Sequence, residues 1–509
     1  MEAILISEAP MTLEELVAVA RRGARVVLSE DSKTRIIQAR NLVEQWVQEG
    51  KVIYGITTGF GALSDVRISK DETCQLQQNI LMSHAAGVGR ILEEEEVRSA
   101  MALRLKDFSR GHSGIGMRPV EVLLELLNQG VCPVIPEKGS VGASGDLAPL
   151  AHLGLVLIGL GEAFYQGRRM SGSEVLARLN LAPLRLEEGE GLALVNGTQV
   201  MTAIGALAAH DAGRLSKMTD IGAAMSLEVL MGSRTEFDPR IHQVRPHPGQ
   251  AAAARNLRHI TRNSEIISSH KDCSRIQDAY TLRCSPQVHG ASRDAIVHVT
   301  GVIEREMNSS TNNPLIFAGS REFLLGGNFH GQPVALALDY LSMAVSELAN
   351  ISERRIERLV NPQLSGLPAF LVREGGLNSG FMIAQYTAAS LVSENKVLCH
   401  PASVDSIPTS ANKEDHVSMG MTSARKCREI LQNAEVVIAI ELLCAAQALD
   451  LFTNLRPGEG TLAAYRAIRK EISHLDKDRV LSHDIEKAVE LIRNGRILDE
   501  VEKAVGRLT

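Results

Sequence analysis

Residues 338–362 read LDYLSMAVSELANISERRIERLVNP. Apolar side chains stand at Leu338, Leu341, Val345, Leu348, Ile351, Ile356 and Leu359. Those steps of three to five keep to one face of an α-helix and do not alternate as a half-buried strand would. Asn361 and Pro362 end the run, because proline lacks an N–H and disfavours helical geometry in the residue before it. A stripe this long needs other helices to cover it, and the rest of the chain supplies them. Thr12 and Glu15 form a capping-box pattern ahead of Leu13, Leu16, Val17 and Ala20, with Gly23 closing the segment. Ile36, Ile37, Ala39, Leu42, Val43, Trp46 and Val47 follow the same period before Gly50. Another apolar run covers residues 436–451, and Ile485, Val489, Ile492 and Val501 pattern the last 50 residues. Strand alternation is scarce, with residues 25–28 and 52–56 as the candidates. No internal repeat or low-complexity linker interrupts the chain. The expected fold is all-α: a long-helix bundle whose N-terminal part holds glycine-rich loops. The working division is residues 1–200 and 201–509, within a single cooperative unit.

The 509 residues are 44% hydrophobic and 22% charged, with a net charge of -6. This balance is ordinary for a soluble globular chain. With Lys and Arg dispersed, it offers no footprint for nucleic acid or a membrane surface. The seven cysteines, Cys74, Cys132, Cys273, Cys284, Cys399, Cys427 and Cys444, are odd in number and scattered. They indicate neither a disulfide framework nor a zinc site, which favours a reducing compartment. Glu2 and Glu8 stand where a secretory leader would have basic residues. Residues 147–160 are the most apolar stretch, but Pro149 and His152 interrupt it and it falls short of the roughly 20 residues that span a bilayer. A cytoplasmic protein without a metal site is expected.

Residues 139–152 read GSVGASGDLAPLAH. One reading is a tight turn followed by a helix: Gly142 and Gly145 permit positive φ, and Asp146 caps the helix that starts at Leu147. The other is chemical. Glycine has the least hindered backbone nitrogen. In a sharply bent loop the Gly145 nitrogen can attack the Ala143 carbonyl. Loss of two waters, one of them from the Ser144 side chain, leaves a 4-methylidene-imidazol-5-one ring. That ring is an electrophile made without metal or external cofactor.

At this point the chain resembles the aromatic amino acid ammonia-lyase and aminomutase family over nearly its whole length. Residues 139–152 match that family's prosthetic-group signature. Residues 54–61, YGITTGFG, resemble its catalytic tyrosine loop. Asn196, in Asn-Gly-Thr, lies where the family has an asparagine beside the ring. Residues 277–283, QDAYTLR, resemble the segment that supplies a second tyrosine and an arginine. The resemblance implies catalytic roles for Tyr54, Ala143, Ser144, Gly145 and Tyr280. Tyr54 would be the base that takes the β-proton, and it would need a nearby cation or hydrogen-bond donors to act as phenolate. The substrate amine would add to the ring, which serves as an electron sink. Arg283 would pair with the substrate carboxylate, because a guanidinium fork suits a bidentate contact. It lies three residues after Tyr280, on the same side if the stretch is helical. Asn196 and Gln277 would hold the carboxylate or the ring oxygen, and Phe329 and Met382 would form apolar walls.

The substrate is read from two places. Residues 81–89, LMSHAAGVG, place Ser83 and His84 in the order of the family's histidine-specific members. Phenylalanine-specific members have two apolar residues there, and tyrosine-specific ones a histidine followed by an apolar residue. Glu414 is the second clue, since a carboxylate suits an imidazole and would be stranded against a phenyl ring. The expected activity is elimination of ammonia from L-histidine to give trans-urocanate. The rivals are a tyrosine or phenylalanine lyase, a 2,3-aminomutase with the same ring, and an inactive helical scaffold. No motif supports pyridoxal chemistry. Asn312 and Lys413 depart from the family pattern, with Asn312 standing where an acid is usual. The resemblance also implies a homotetramer whose active sites are shared between chains.

Overall fold

The computed structural model describes residues 3–66, 68–69, 72–271 and 276–509, so Glu2 and Cys273 lie outside the described residues. Helices dominate, as the periodicity requires. The apolar stripe from Leu338 to Leu359 lies within Gln332–Val360, and the other patterned segments form Leu13–Arg21, Glu30–Gln48, Gly420–Leu449, Leu481–Arg493 and Arg496–Val505. Thr12 and Glu15 make the capping box: the Thr12 hydroxyl accepts the Glu15 N–H at 3.2 Å, and Glu15 Oε2 accepts the Thr12 N–H at 2.7 Å. Gln332–Val360 is also long and apolar enough to cross a bilayer, but 67% of its most apolar window is packed inside the protein.

The chain forms two compact units, Met1–His210 with Thr300–Asp339 and Pro401–Arg425, and Asp211–Val299 with Tyr340–His400 and Lys426–Thr509. In the first unit, Val26–Leu28 pairs in parallel with Ile4–Ile6, which confirms the strand expected at residues 25–28. Residues 52–56 are not a strand. Gly55 takes φ +67°, the Thr57 hydroxyl accepts the Ile53 N–H at 2.9 Å, and the Thr57 N–H donates to the Ile53 carbonyl at 3.0 Å. The chain therefore doubles back as a turn around Tyr54. Short antiparallel pairings join Val88–Ile91 to Pro136–Lys138, Glu162–Tyr165 to Arg168–Ser171, and Leu315–Phe317 to Glu322–Leu324. A core cluster of Trp46, Val43, Ile53, Ile56 and Ile316 anchors the tyrosine turn to the helix Glu30–Gln48. Each such buried side chain contributes about 1.5–3 kcal/mol.

The second unit packs Pro248–Ile260, Glu459–Glu471, Leu481–Arg493 and Arg496–Val505 with its share of the long helices. Its centre is ionic. Arg355 grips both oxygens of Glu441, at 2.5 and 2.8 Å, and the hydroxyls of Ser226 and Ser352 donate to the same carboxylate at 2.7 and 2.6 Å. His289 Nδ1 stands 2.7 Å from Asp220, to which Arg293 and Asn256 also donate, at 3.0 and 2.8 Å. Every oxygen of these two buried carboxylates has at least one donor close by, the condition under which buried charge is tolerated.

Candidate active site

The loop of residues 140–146 is bent hard. Gly142, Ser144 and Gly145 have φ of +83°, +52° and +81°, and the Gly145 nitrogen lies 3.4 Å from the Gly142 carbonyl oxygen. The Ser140 hydroxyl donates to the Gly145 carbonyl and accepts the Gly142 N–H, both at 3.1 Å. Gly197 clamps the bend from the other side: its N–H donates to Ser144 O at 3.1 Å, and its carbonyl accepts the Asp146 N–H at 2.7 Å. A Cβ at Gly145 would meet Gly197 O at 2.1 Å, and one at Gly142 would meet Ser418 Oγ at 2.1 Å. Only glycine fits either position. Ala143 packs on Val417 and Met419. The bend, the two obligatory glycines and the serine between them fit a ring closed from Ala143, Ser144 and Gly145.

Asp146 does not cap the helix Leu147–Leu157. Its φ and ψ of -100° and 50° are outside the extended region that an N-cap needs. Its Oδ2 instead accepts the N–H groups of Val200 and Met201, both at 2.8 Å, in the first turn of Gln199–Val229. It thereby ties the loop to the segment that holds Asn196. Burial pushes its carboxyl up to about 7, against the pull of those two N–H groups.

A cavity of about 460 Å³ in the first unit is lined by Tyr54, His84, Ser144, Asn196 and Glu414, with Phe60, Leu192 and Val195 among its apolar walls. Residues as far apart in sequence as Tyr54 and Glu414 are thus brought to one space. The Tyr54 hydroxyl accepts the Gly61 N–H at 3.2 Å. Burial raises its phenol above 10, the Gly61 donor opposes that, and the Glu414 charge adds to it. His84 ends the helix Thr73–His84 with Nδ1 3.0 Å from Ser83 Oγ. Burial lowers its imidazole, offset in part by a backbone partner at Ile80 and by Glu414. Glu414 Oε2 accepts the Thr409 hydroxyl at 2.9 Å. Asn196 is 2% exposed, and its Oδ1 has no hydrogen-bond partner. A buried polar atom left so beside a cavity is positioned for a ligand group.

The other expected residues lie elsewhere. Gln277 and Arg283 line a separate cavity of about 760 Å³ in the second unit, with Arg234, Glu236 and Asp278. Tyr280 and Arg283 share the one-turn helix Tyr280–Arg283, and the guanidinium stacks 4.6 Å from the tyrosine ring. Tyr280 is 71% exposed. Phe329 is half-buried in a turn, and Met382 opens the helix Met382–Leu398. Sequence reasoning did not single out Ser410 or Thr409. The Ser410 hydroxyl accepts the Ala62 N–H at 3.1 Å and so ties the Glu414 loop to the Tyr54 loop. Nothing in the local pattern marks a contact between residues that distant.

The aromatic amino acid lyase family profile matches residues 11–470. A histidine ammonia-lyase of Alkaliphilus oremlandii is 57% identical over 99% of both chains. The crystal structure of histidine ammonia-lyase from Trypanosoma cruzi superposes with a TM-score of 0.92 at 43% identity, covering 99% of this chain and 96% of that one. Tyrosine aminomutase from Streptomyces globisporus superposes with a TM-score of 0.95 at 37% identity over the whole of both chains. With the loop, the cavity and these full-length likenesses together, the chain belongs to the aromatic amino acid lyase family.

Proposed function

We propose that this chain eliminates ammonia from L-histidine and releases trans-urocanate. The observation that carries the reading is that Glu414 and His84 line the same cavity as Ser144 and Tyr54. A carboxylate in a largely apolar cavity is costly against a phenyl ring and well placed against an imidazole. The full-length likeness to histidine ammonia-lyases supports the same substrate. A ring formed from Ala143, Ser144 and Gly145, with no external cofactor, supplies the electron sink that makes the amine a leaving group.

The remaining roles belong to the chain's own side chains. Tyr54 takes the β-proton, and the Gly61 N–H is the donor that favours its phenolate. Glu414 and His84 orient the substrate imidazole. Asn196 presents its amide at the cavity beside the ring-forming loop. Arg283 pairs with the substrate carboxylate, Gln277 assists it, and Tyr280 is a second acid or base. Phe329 and Met382 are apolar walls. These residues serve a site completed between copies in a homotetramer. The exposed Tyr280, with Arg283 stacked on it, supports that arrangement. We place the protein in the cytoplasm, where its six described cysteines, all free thiols, remain reduced.

A second reading, an aminomutase that returns ammonia to the β-carbon, is favoured by the likeness to tyrosine aminomutase. The deciding experiment incubates the protein separately with L-histidine, L-tyrosine and L-phenylalanine and follows near-ultraviolet absorbance and free ammonia. Urocanate and ammonia from histidine alone are expected. Product from tyrosine or phenylalanine instead would overturn the assignment of Glu414 and His84, and a β-amino acid would establish the mutase.

A further inference from the structure

A guanidinium is buried beneath the cavity, and the mechanism above makes no use of it. Arg104, on the helix Glu94–Phe108, is fully buried. Its NH1 donates to the Asn196 carbonyl at 2.7 Å and to Gln199 Oε1. Its NH2 donates to the Ala193 carbonyl and, at 3.3 Å, to Asn312 Oδ1. The nearest carboxylate is Asp107, whose Oδ2 lies 3.5 Å from NH1. That same oxygen accepts Asn312 Nδ2 at 2.7 Å. Asn312, the departure from the family pattern, is therefore a neutral bridge between the cation and its counter-ion.

The Asn196 carbonyl and the Gly197 N–H belong to one peptide group. Arg104 holds its oxygen end, and its nitrogen end donates to Ser144 O at 3.1 Å. Gly197 is closely enclosed: a Cβ there would stand 2.4 Å from Thr311 Oγ1 and 2.8 Å from Arg104 NH1. We propose that Arg104 is a positioning residue that polarises the Asn196–Gly197 peptide, making the Gly197 N–H a charge-assisted donor to the carbonyl oxygen of Ser144. A cation on an amide oxygen draws electron density from the amide nitrogen and strengthens its N–H as a donor, and such chains reinforce one another where the surroundings are dry. The inference rests on the ring reading above, in which Ser144 O is the oxygen the ring keeps. Charge withdrawn there makes the ring a stronger electrophile.

The test uses the full-length protein and the variants Arg104→Gln and Asp107→Asn, each checked for fold by circular dichroism. Ring content is read by mass spectrometry as the loss of two waters from the peptide that contains residues 143–145. Electrophile strength is read as the rate at which 2-mercaptoethanol adds, per mole of ring. Arg104→Gln is expected to slow addition about tenfold. Asp107→Asn removes the counter-charge in a side chain of the same shape, and it is expected to speed addition with ring content kept. A purely structural cluster would be weakened by either change. A fall in both variants, or no change in Asp107→Asn, therefore overturns the proposal, and Asp107→Asn decides alone if Arg104→Gln does not fold. Absence of the water loss in the parent protein overturns the ring reading and this inference with it. A ring whose reactivity does not diverge between the variants overturns this inference alone.

Discussion

Thr409 and Glu414 are joined twice. The Thr409 hydroxyl donates to the Glu414 carboxylate at 2.9 Å, and their main chains exchange N–H···O bonds at 3.0 and 3.3 Å. Between them Ser410, Ala411 and Asn412 all have positive φ, at 51°, 51° and 71°. That conformation is unfavourable for residues with a Cβ, so the double link holds a strained bend in place. Thr409→Val keeps the shape and removes the hydroxyl. It is expected to lower kcat/KM for histidine about tenfold, chiefly through KM, while Thr409→Ser stays within about twofold. Steady-state kinetics on both variants check this, and equal losses in the two would refute it.

In the ring proposed above, Ser144 supplies the atoms of the methylidene group and Gly145 the attacking nitrogen. Ser144→Ala is expected to fold with an unchanged melting temperature, to lack the two-water mass loss and to be inactive. Gly145→Ala places a Cβ 2.1 Å from Gly197 O at φ +81° and is expected to lose the ring as well. Full activity in Ser144→Ala would remove the mechanism.

Asp146 is expected to make stability depend on pH. Its folded value, about 7, lies above the ordinary aspartate value. Its contribution is therefore fully present below about pH 4 and is lost as pH rises through 7. Asp146→Asn has no proton to lose and keeps an oxygen for Val200 and Met201. Relative to that variant, the parent protein should lose on the order of a few kcal/mol between pH 4 and pH 8. Denaturant midpoints measured across that range check the sign, and a pH-independent difference would show that Asp146 does not titrate there.

Arg355 and Glu441 are both fully buried in the second unit. Glu441→Gln leaves the guanidinium without its counter-ion and is expected to cost about 3–5 kcal/mol, read as a lower urea midpoint. The paired change Arg355→Met with Glu441→Leu should recover part of that loss. A loss in the pair equal to the sum of the single losses would mean that the two residues do not act together.

The helices were legible because their apolar steps recur over several turns, from Leu13 through to Val501. The bent loop at residues 140–146 was legible because few other functions call for alanine, serine and glycine in that setting. The turn at Tyr54 was misread as a strand, since Val52, Ile53 and Ile56 suit one, and what overrules them is a hydroxyl bond from Thr57. The strands of the antiparallel pairings are two to four residues long, too short for periodicity to reveal. Arg104 and Ser410 act on partners 92 and 348 residues away, and no local pattern encodes such contacts.

The Met419 N–H donates to Val141 O at 2.9 Å, and Ser418 Oγ fills the space beside Gly142. A ribosome delivers residues 139–146 long before it delivers residue 419. Until then the bend lacks one of its braces, and Gly145 is an ordinary glycine on a nascent chain. On the ring reading proposed above, closure is therefore expected only after most of the polypeptide has been made. A chain cut short before residue 418 is then expected to lack the electrophile, and so to leave no fragment that reacts with the amines and thiols around it.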